Sequence, residues 1–144
     1  MGLDMYLYRN HFYYDNESPS VIEGFTDTSK VREIKEEVGY WRKANQIHRW
    51  FVNNVQNGND DCQEYEVNLD DLKTLRNNCV FALQNRSMAD SVLPIQSGFF
   101  FGSYEYDEFY FYQLDETIKI IDSVIASHPE NAGHIVYYGY RASW

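Results

Sequence analysis

The first eight residues alternate in character. Met1, Leu3, Met5 and Leu7 fall on one side of an extended chain, and Gly2, Asp4, Tyr6 and Tyr8 on the other. A period of two predicts a half-buried strand. Its apolar side would be wasted in a free tail, so later segments must supply a sheet around it.

Those segments follow a mixed order. Asp15 to Ser20 reads as a loop around Pro19. Val31 to Val38 reads as a strand leading into a helix. From Tyr40 to Val55 the helical period predicts one continuous helix, because Tyr40, Ala44, Ile47, Phe51 and Val55 share a face. Asn57-Gly58-Asn59 ends it. Gln63 to Val67 is a short strand. Asn68 then caps a second helix, with Asp70 and Asp71 in its first turn and Leu72, Leu75, Cys79 and Ala82 as its buried stripe. That helix ends near Asn85, and Ser87 to Ser97 is a connection. Gly98 to Gly102 and Phe109 to Tyr112 read as a hairpin with Ser103 to Glu108 at its turn. Asp115 would cap a third helix buried through Ile118, Ile121 and Ile125, and Ile135 to Tyr140 is a last strand. There is no regular β-α-β alternation. The expected fold is a single α+β domain over residues 1–144, a mostly antiparallel sheet with about three helices packed on it.

Charge narrows the partners. Of 144 residues, 22 are acidic and 12 basic, a net of −10. Phosphate contacts need clustered Lys and Arg, so direct nucleic-acid binding and adsorption to anionic membranes are not expected. No stretch has the roughly 18 apolar residues of a membrane span, and no secretory leader pattern opens the chain, so a cytoplasmic setting is expected. Cys62 and Cys79 are read as ordinary thiols, since a metal site would need more ligands at closer spacing.

Two groups of residues are candidates for function. On the predicted Tyr40–Val55 helix, Trp41, Asn45 and His48 stand at i, i+4 and i+7, with Arg42 and Lys43 beside them. Such a wall would stack a planar ligand on Trp41, orient it through Asn45 and His48, and balance anionic charge with Arg42 and Lys43. The plainer reading is a buried Trp, a hydrogen-bonded His and a solvated basic edge. The second group is the turn Tyr104-Glu105-Tyr106-Asp107-Glu108. On an extended strand Glu105 and Asp107 point the same way, as paired acid–base carboxylates do, although exposed turn carboxylates more often form an interaction surface or are simply solvated. A Cys79–His48 nucleophile pair is disfavoured because Cys79 falls on an apolar stripe. No phosphate-loop, dinucleotide, nucleophile-elbow or zinc-protease motif occurs. No catalytic residue, metal or cofactor is therefore assigned.

The remaining acidic residues cluster as well. Asp60, Asp61, Glu64, Glu66, Asp70 and Asp71 form one group, and Glu105, Asp107, Glu108, Asp115 and Glu116 another. Such surfaces serve solubility, or imitate phosphates on a partner's nucleic-acid site.

Three segments carry a resemblance. The opening Met1-Gly2-Leu3-Asp4-Met5-Tyr6-Leu7 is the first. The second is Gly39-Tyr40-Trp41-Arg42-Lys43-Ala44-Asn45 followed by Ile47-His48 and Trp50-Phe51. The third is Gly98-Phe99-Phe100-Phe101-Gly102-Ser103 followed by Glu105-Tyr106-Asp107-Glu108. In this order they resemble a family of small phage and prophage proteins; Asp15 to Lys30 and the tails lie outside the match. The resemblance implies a setting of bacteriophage accessory genes, many of which encode inhibitors of host enzymes or antiviral systems. The function expected is a non-enzymatic inhibitor of a host or defence protein, such as a CRISPR effector, acting through its acidic, Tyr-rich surface. The alternative is capture or processing of a nucleotide-like small ligand at the Trp41–His48 wall.

Overall fold

The alternating opening becomes the centre of the sheet. The structure, a computed structural model, describes residues 2–98 and 101–144. Strand β1 (Asp4–Phe12) pairs antiparallel with β2 (Glu33–Arg42) on one side and with β4 (Ile135–Ser143) on the other. The short β3 (Tyr65–Val67) pairs antiparallel with β4, so the order is β2-β1-β4-β3. Met1, the first residue of the expected alternation, lies outside the described residues. Leu3, Met5 and Leu7 are fully buried on the face that carries the helices, whereas Tyr6 and Tyr8 stack on the opposite face at 5.9 Å.

The helices are α1 (Asn45–Asn54), α2 (Leu69–Gln84), the short α3 (Ala89–Val92) and α4 (Glu108–Ser127). The expected α+β class holds, with four α-helices among the described residues instead of about three. In α2 the Asn68 side chain accepts from Asp71 N and the Asp71 side chain accepts from Asn68 N, a reciprocal cap. Leu72, Leu75, Cys79 and Ala82 are its buried positions, as the spacing predicts. Both cysteines are free thiols. Among the described residues no helix is long and apolar enough to cross a membrane.

Three stretches differ from expectation. The expected connection Ser87 to Ser97 contains α3. Tyr40, Trp41 and Arg42 extend β2 instead of opening a helix, because they pair with Tyr6, Met5 and Asp4 of β1. Lys43 then takes a left-handed conformation, φ 56°, and turns the chain into α1. Trp41 therefore shares no helical face with Asn45 and His48. The expected hairpin is also absent. Gly98, Phe101 and Gly102 belong to no strand, while Phe99 and Phe100 lie outside the described residues. Phe109 to Tyr112 form the first turns of α4, which Asp107 caps by accepting from Tyr110 N at 3.0 Å. Asp115 lies inside that helix, and its buried positions include Leu114, Thr117, Ile121 and Val124, with Ile118 and Ile125 only partly buried. Glu105 and Asp107 consequently do not project from one extended strand.

Candidate functional site

The two segments that carry the candidate residues meet in space at the junction of β2, α1 and α4. Asn45, at the start of α1, donates through Nδ2 to Phe101 O at 3.1 Å and Ser103 O at 2.9 Å. Its Oδ1 accepts from Gln96 N at 3.2 Å. Gly102 sits at φ 101° against Lys43, where an added Cβ would lie 2.9 Å from Lys43 O. Gln113 of α4 donates to that same carbonyl at 3.3 Å, and Gln46 donates to Gln113 Oε1 at 2.9 Å. Asn45 is thus a clamp that holds the loop before α4 onto the junction. Its amide is fully engaged inside the protein.

His48 is also internal, with no exposed surface. Its Nδ1 lies 2.7 Å from the Tyr140 hydroxyl and its Nε2 lies 2.9 Å from Asp60 Oδ1. Asp60 further accepts from Gln96 Nε2 and Trp144 Nε1, both at 3.0 Å. Burial lowers the His48 pKa, and the Asp60 carboxylate opposes that shift. Burial chiefly, and then Asp60, holds the Tyr140 hydroxyl well above its usual value. With a neutral imidazole, Nε2–H donates to Asp60 and Nδ1 accepts from Tyr140. The Phe101 ring meets His48 edge-on, with centroids 5.6 Å apart. Such an Asp–His–Tyr chain resembles a proton relay in composition. Because His48 and Tyr140 are both fully buried, it serves here to join α1, β4 and the loop before β3.

Trp41 is 4% exposed and donates from Nε1 to Thr117 Oγ1 at 2.9 Å. The expected ligand wall of Trp41, Asn45 and His48 is therefore not assembled: each side chain makes a different internal contact. Arg42 and Lys43 do reach the surface. Trp41 and Arg42, together with Tyr40, form one side of a cleft of about 210 Å³ whose other side is Phe109, Tyr112 and Glu116 of α4. Lys43 borders an adjoining shallow recess with Ser103, Glu105 and Asp107. The structure thus brings Lys43 beside Glu105 and Asp107 of the acidic turn, while Arg42 lines the neighbouring cleft and pairs with Asp4.

The acidic turn itself is on the surface. Tyr104 and Tyr106 are exposed, although the Tyr104 hydroxyl donates to Gly98 O at 2.8 Å and the Tyr106 hydroxyl accepts from Ile95 N at 3.2 Å. Glu108 pairs with Arg86 at 2.7 Å. Phe109 is 52% exposed and Tyr112 56%, their rings stacked with centroids 6.3 Å apart. These two aromatic residues extend the Tyr-rich surface along α4, and the sequence reading misses them. In Phe109-Tyr110-Phe111-Tyr112 every residue is aromatic, so polarity gives no sign of which pair faces the core. Only the continuation through Leu114, Thr117 and Ile121 sets the phase that buries Tyr110 and leaves Phe109 outside.

Much of the remaining acidity is committed internally. Glu64 binds Lys35 and Asn10, Asp61 binds the Tyr65 hydroxyl, and Asp115 and Glu116 both pair with Lys119. Burial pushes the Cys79 thiol up to about 12, so it carries no thiolate near neutral pH. At the far end of β1, His11 Nδ1 lies 2.7 Å from His134 Nε2, and His11 Nε2 lies 2.5 Å from Glu36 Oε1. Among the described residues no three His, Cys, Asp or Glu side chains converge as a metal site. No protein-family model, curated protein or solved structure matches the chain.

Proposed function

We propose that the chain is a phage or prophage accessory protein that binds and inhibits a host or antiviral-defence protein without catalysis of its own. The observation that carries this reading is the surface at the start of α4. Tyr104, Tyr106, Phe109 and Tyr112 are exposed there beside Glu105 and Glu108. Aromatic residues concentrate in protein interfaces, and charges at an interface rim accelerate encounter. The small-ligand alternative loses its basis, because Asn45 and His48 spend their polar atoms inside the protein.

A panel of bacterial strains, each with one antiviral defence system, tests the proposal. Phage plaquing is measured with and without the chain, and the chain is then purified from responsive strains. Restored plaquing in at least one strain, with a component of that system co-purifying, is the expected result. Plaquing that the chain leaves unchanged across the panel overturns the reading.

The acidic turn gives a second prediction on the purified pair. The triple variant Glu105→Gln, Asp107→Asn, Glu108→Gln should fold normally, because Asn caps a helix as well as Asp does and the exposed Glu108–Arg86 pair contributes little. Its association rate should fall about tenfold near 0.01 M salt, where the Debye length is about 30 Å, and less near 0.15 M, where it is about 8 Å. An association rate unchanged at every salt concentration would make the turn a solubility feature only.

A further inference from the structure

The cleft beside β2 has the form of a seat for an extended peptide. β2 is the outer strand of the sheet, so its outward edge has no strand partner among the described residues. Gly39 lets α4 come close: a Cβ there would lie 2.7 Å from Ile120 Cγ2. The Trp41–Thr117 hydrogen bond fastens the same helix to the same strand. Toward the start of α4 the cleft lies between Tyr40, Trp41 and Arg42 on one side and Phe109, Tyr112 and Glu116 on the other. Folding leaves the Phe109 and Tyr112 rings more than half uncovered.

A free strand edge presents unpaired N–H and C=O groups, which an added strand satisfies. The first part of β2 is guarded against this. It carries Glu33, Lys35, Glu36 and Glu37, and its register shifts where Leu7 faces Gly39 and Tyr8 faces Glu37, leaving Val38 as the extra residue. Bulges and edge charges both discourage pairing. Gly39 to Arg42 lies beyond the bulge, and it is the part beside the cleft.

Charge selects the occupant. Arg42 is already paired with Asp4, Lys119 with Asp115 and Glu116, and Arg86 with Glu108. At the adjoining recess Glu105 and Asp107 outnumber Lys43 by one charge, on a chain of net charge −10. Aromatic faces beside carboxylates hold cations that have apolar stems, as Lys and Arg do. We propose that the cleft takes an extended, Lys- or Arg-rich segment of a protein partner, which adds to β2 at Gly39–Arg42 and lays a cationic side chain on Phe109 and Tyr112. This rests on the partner-binding reading above and names the chemistry of the segment bound.

The probe is a blocked peptide of alternating Lys and Val, titrated into isotope-labelled protein and followed by NMR. Amide shifts confined to Gly39–Arg42 and the first turns of α4 are expected. The double variant Phe109→Ala, Tyr112→Ala should weaken binding about tenfold or more, and its own spectrum reports whether it is folded. N-methylation of alternate peptide bonds should abolish binding, and a Glu-Val peptide should not bind. Equal binding of the Glu-Val peptide overturns the proposal. So do shifts spread over the acidic surface, indifference to the aromatic variant or to N-methylation, or sedimentation that shows a second copy pairing through β2. The two proposals fail separately. If the peptide binds as described while plaquing is unchanged, the inhibitor reading falls and the cleft stands. If plaquing is restored and these peptide responses are absent, the cleft falls and the inhibitor reading stands.

Discussion

Deleting residues 1–8 should abolish cooperative unfolding. β1 lies between β2 and β4, so the deletion breaks both ladders at once. It also removes Leu3, Met5 and Leu7, all fully buried. Burying a side chain of this size contributes roughly 1.5–3 kcal/mol. Three of them account for about 5–9 kcal/mol, against a total stability of about 5–15 kcal/mol for a typical domain. Calorimetry and circular dichroism should therefore show no sharp transition in the shortened chain. A melting curve matching that of the full chain would show that β1 is not the centre of the sheet.

His48→Leu should be the most damaging single change among the polar residues. Leucine matches histidine in size but cannot hydrogen-bond, so it leaves the Tyr140 hydroxyl buried without its partner. An orphaned buried hydroxyl costs about 1–3 kcal/mol. With the lost Asp60 contact the sum is about 3 kcal/mol, a fall in melting temperature on the order of 10 °C. Tyr140→Phe should cost less, because it keeps the ring that stacks on Phe51 with centroids 3.7 Å apart. Combining the two should cost less than their sum, since neither partner is then left alone. A His48→Leu protein that melts with the wild type would remove the network's structural role.

Two histidines, one in this network and one at the far end of β1, set a dependence on pH. Burial depresses the His48 pKa below its ordinary 6.5. Burial first, and then the neighbouring His11, depress that of His134. A histidine whose folded pKa is lowered favours the fold in its neutral form. Its stabilisation is complete above about pH 6.5 and is lost as pH falls from there toward the folded pKa. Melting temperature should decline on acidification through this window, and the decline should be shallower in His48→Leu. Equal slopes in both proteins would mean that His48 is not among the groups taking up protons on unfolding.

The parts of the fold that are legible in the sequence share a property: one element decides them locally. The alternation of Leu3, Met5 and Leu7 needs only the two faces of a strand. The start of α2 needs only Asn68 and Asp71. The end of β2 is different. Ala44, Ile47 and Phe51 are buried together, but Tyr40, which continues their spacing backward, is a strand residue left 44% exposed beside Tyr6, so the helical period there is a coincidence of spacing. The break lies at Lys43, a residue type that does not announce a left-handed turn. The candidate site is legible to the same degree. Lys43 reaches the surface beside Glu105 and Asp107, yet nothing local in either segment says that they meet. Asn45 and His48 stand out by their polarity, and tertiary contacts decide that this polarity is spent on Phe101, Ser103, Tyr140 and Asp60.

The placement of β4 has a consequence for how the chain is made. Its residues 135–143 complete the ladder to a strand synthesised at residues 4–12. Until they emerge, a nascent chain carries β1 and β2 as a two-stranded ribbon, which is marginal in water. Tyr140, the hydroxyl partner of His48, emerges with them. Closing so long a loop is slow, and the apolar side of the ribbon stays exposed meanwhile. The sheet should therefore form only once residues 135–143 have been made, all at once, and the chain should be most vulnerable to aggregation and proteolysis before then.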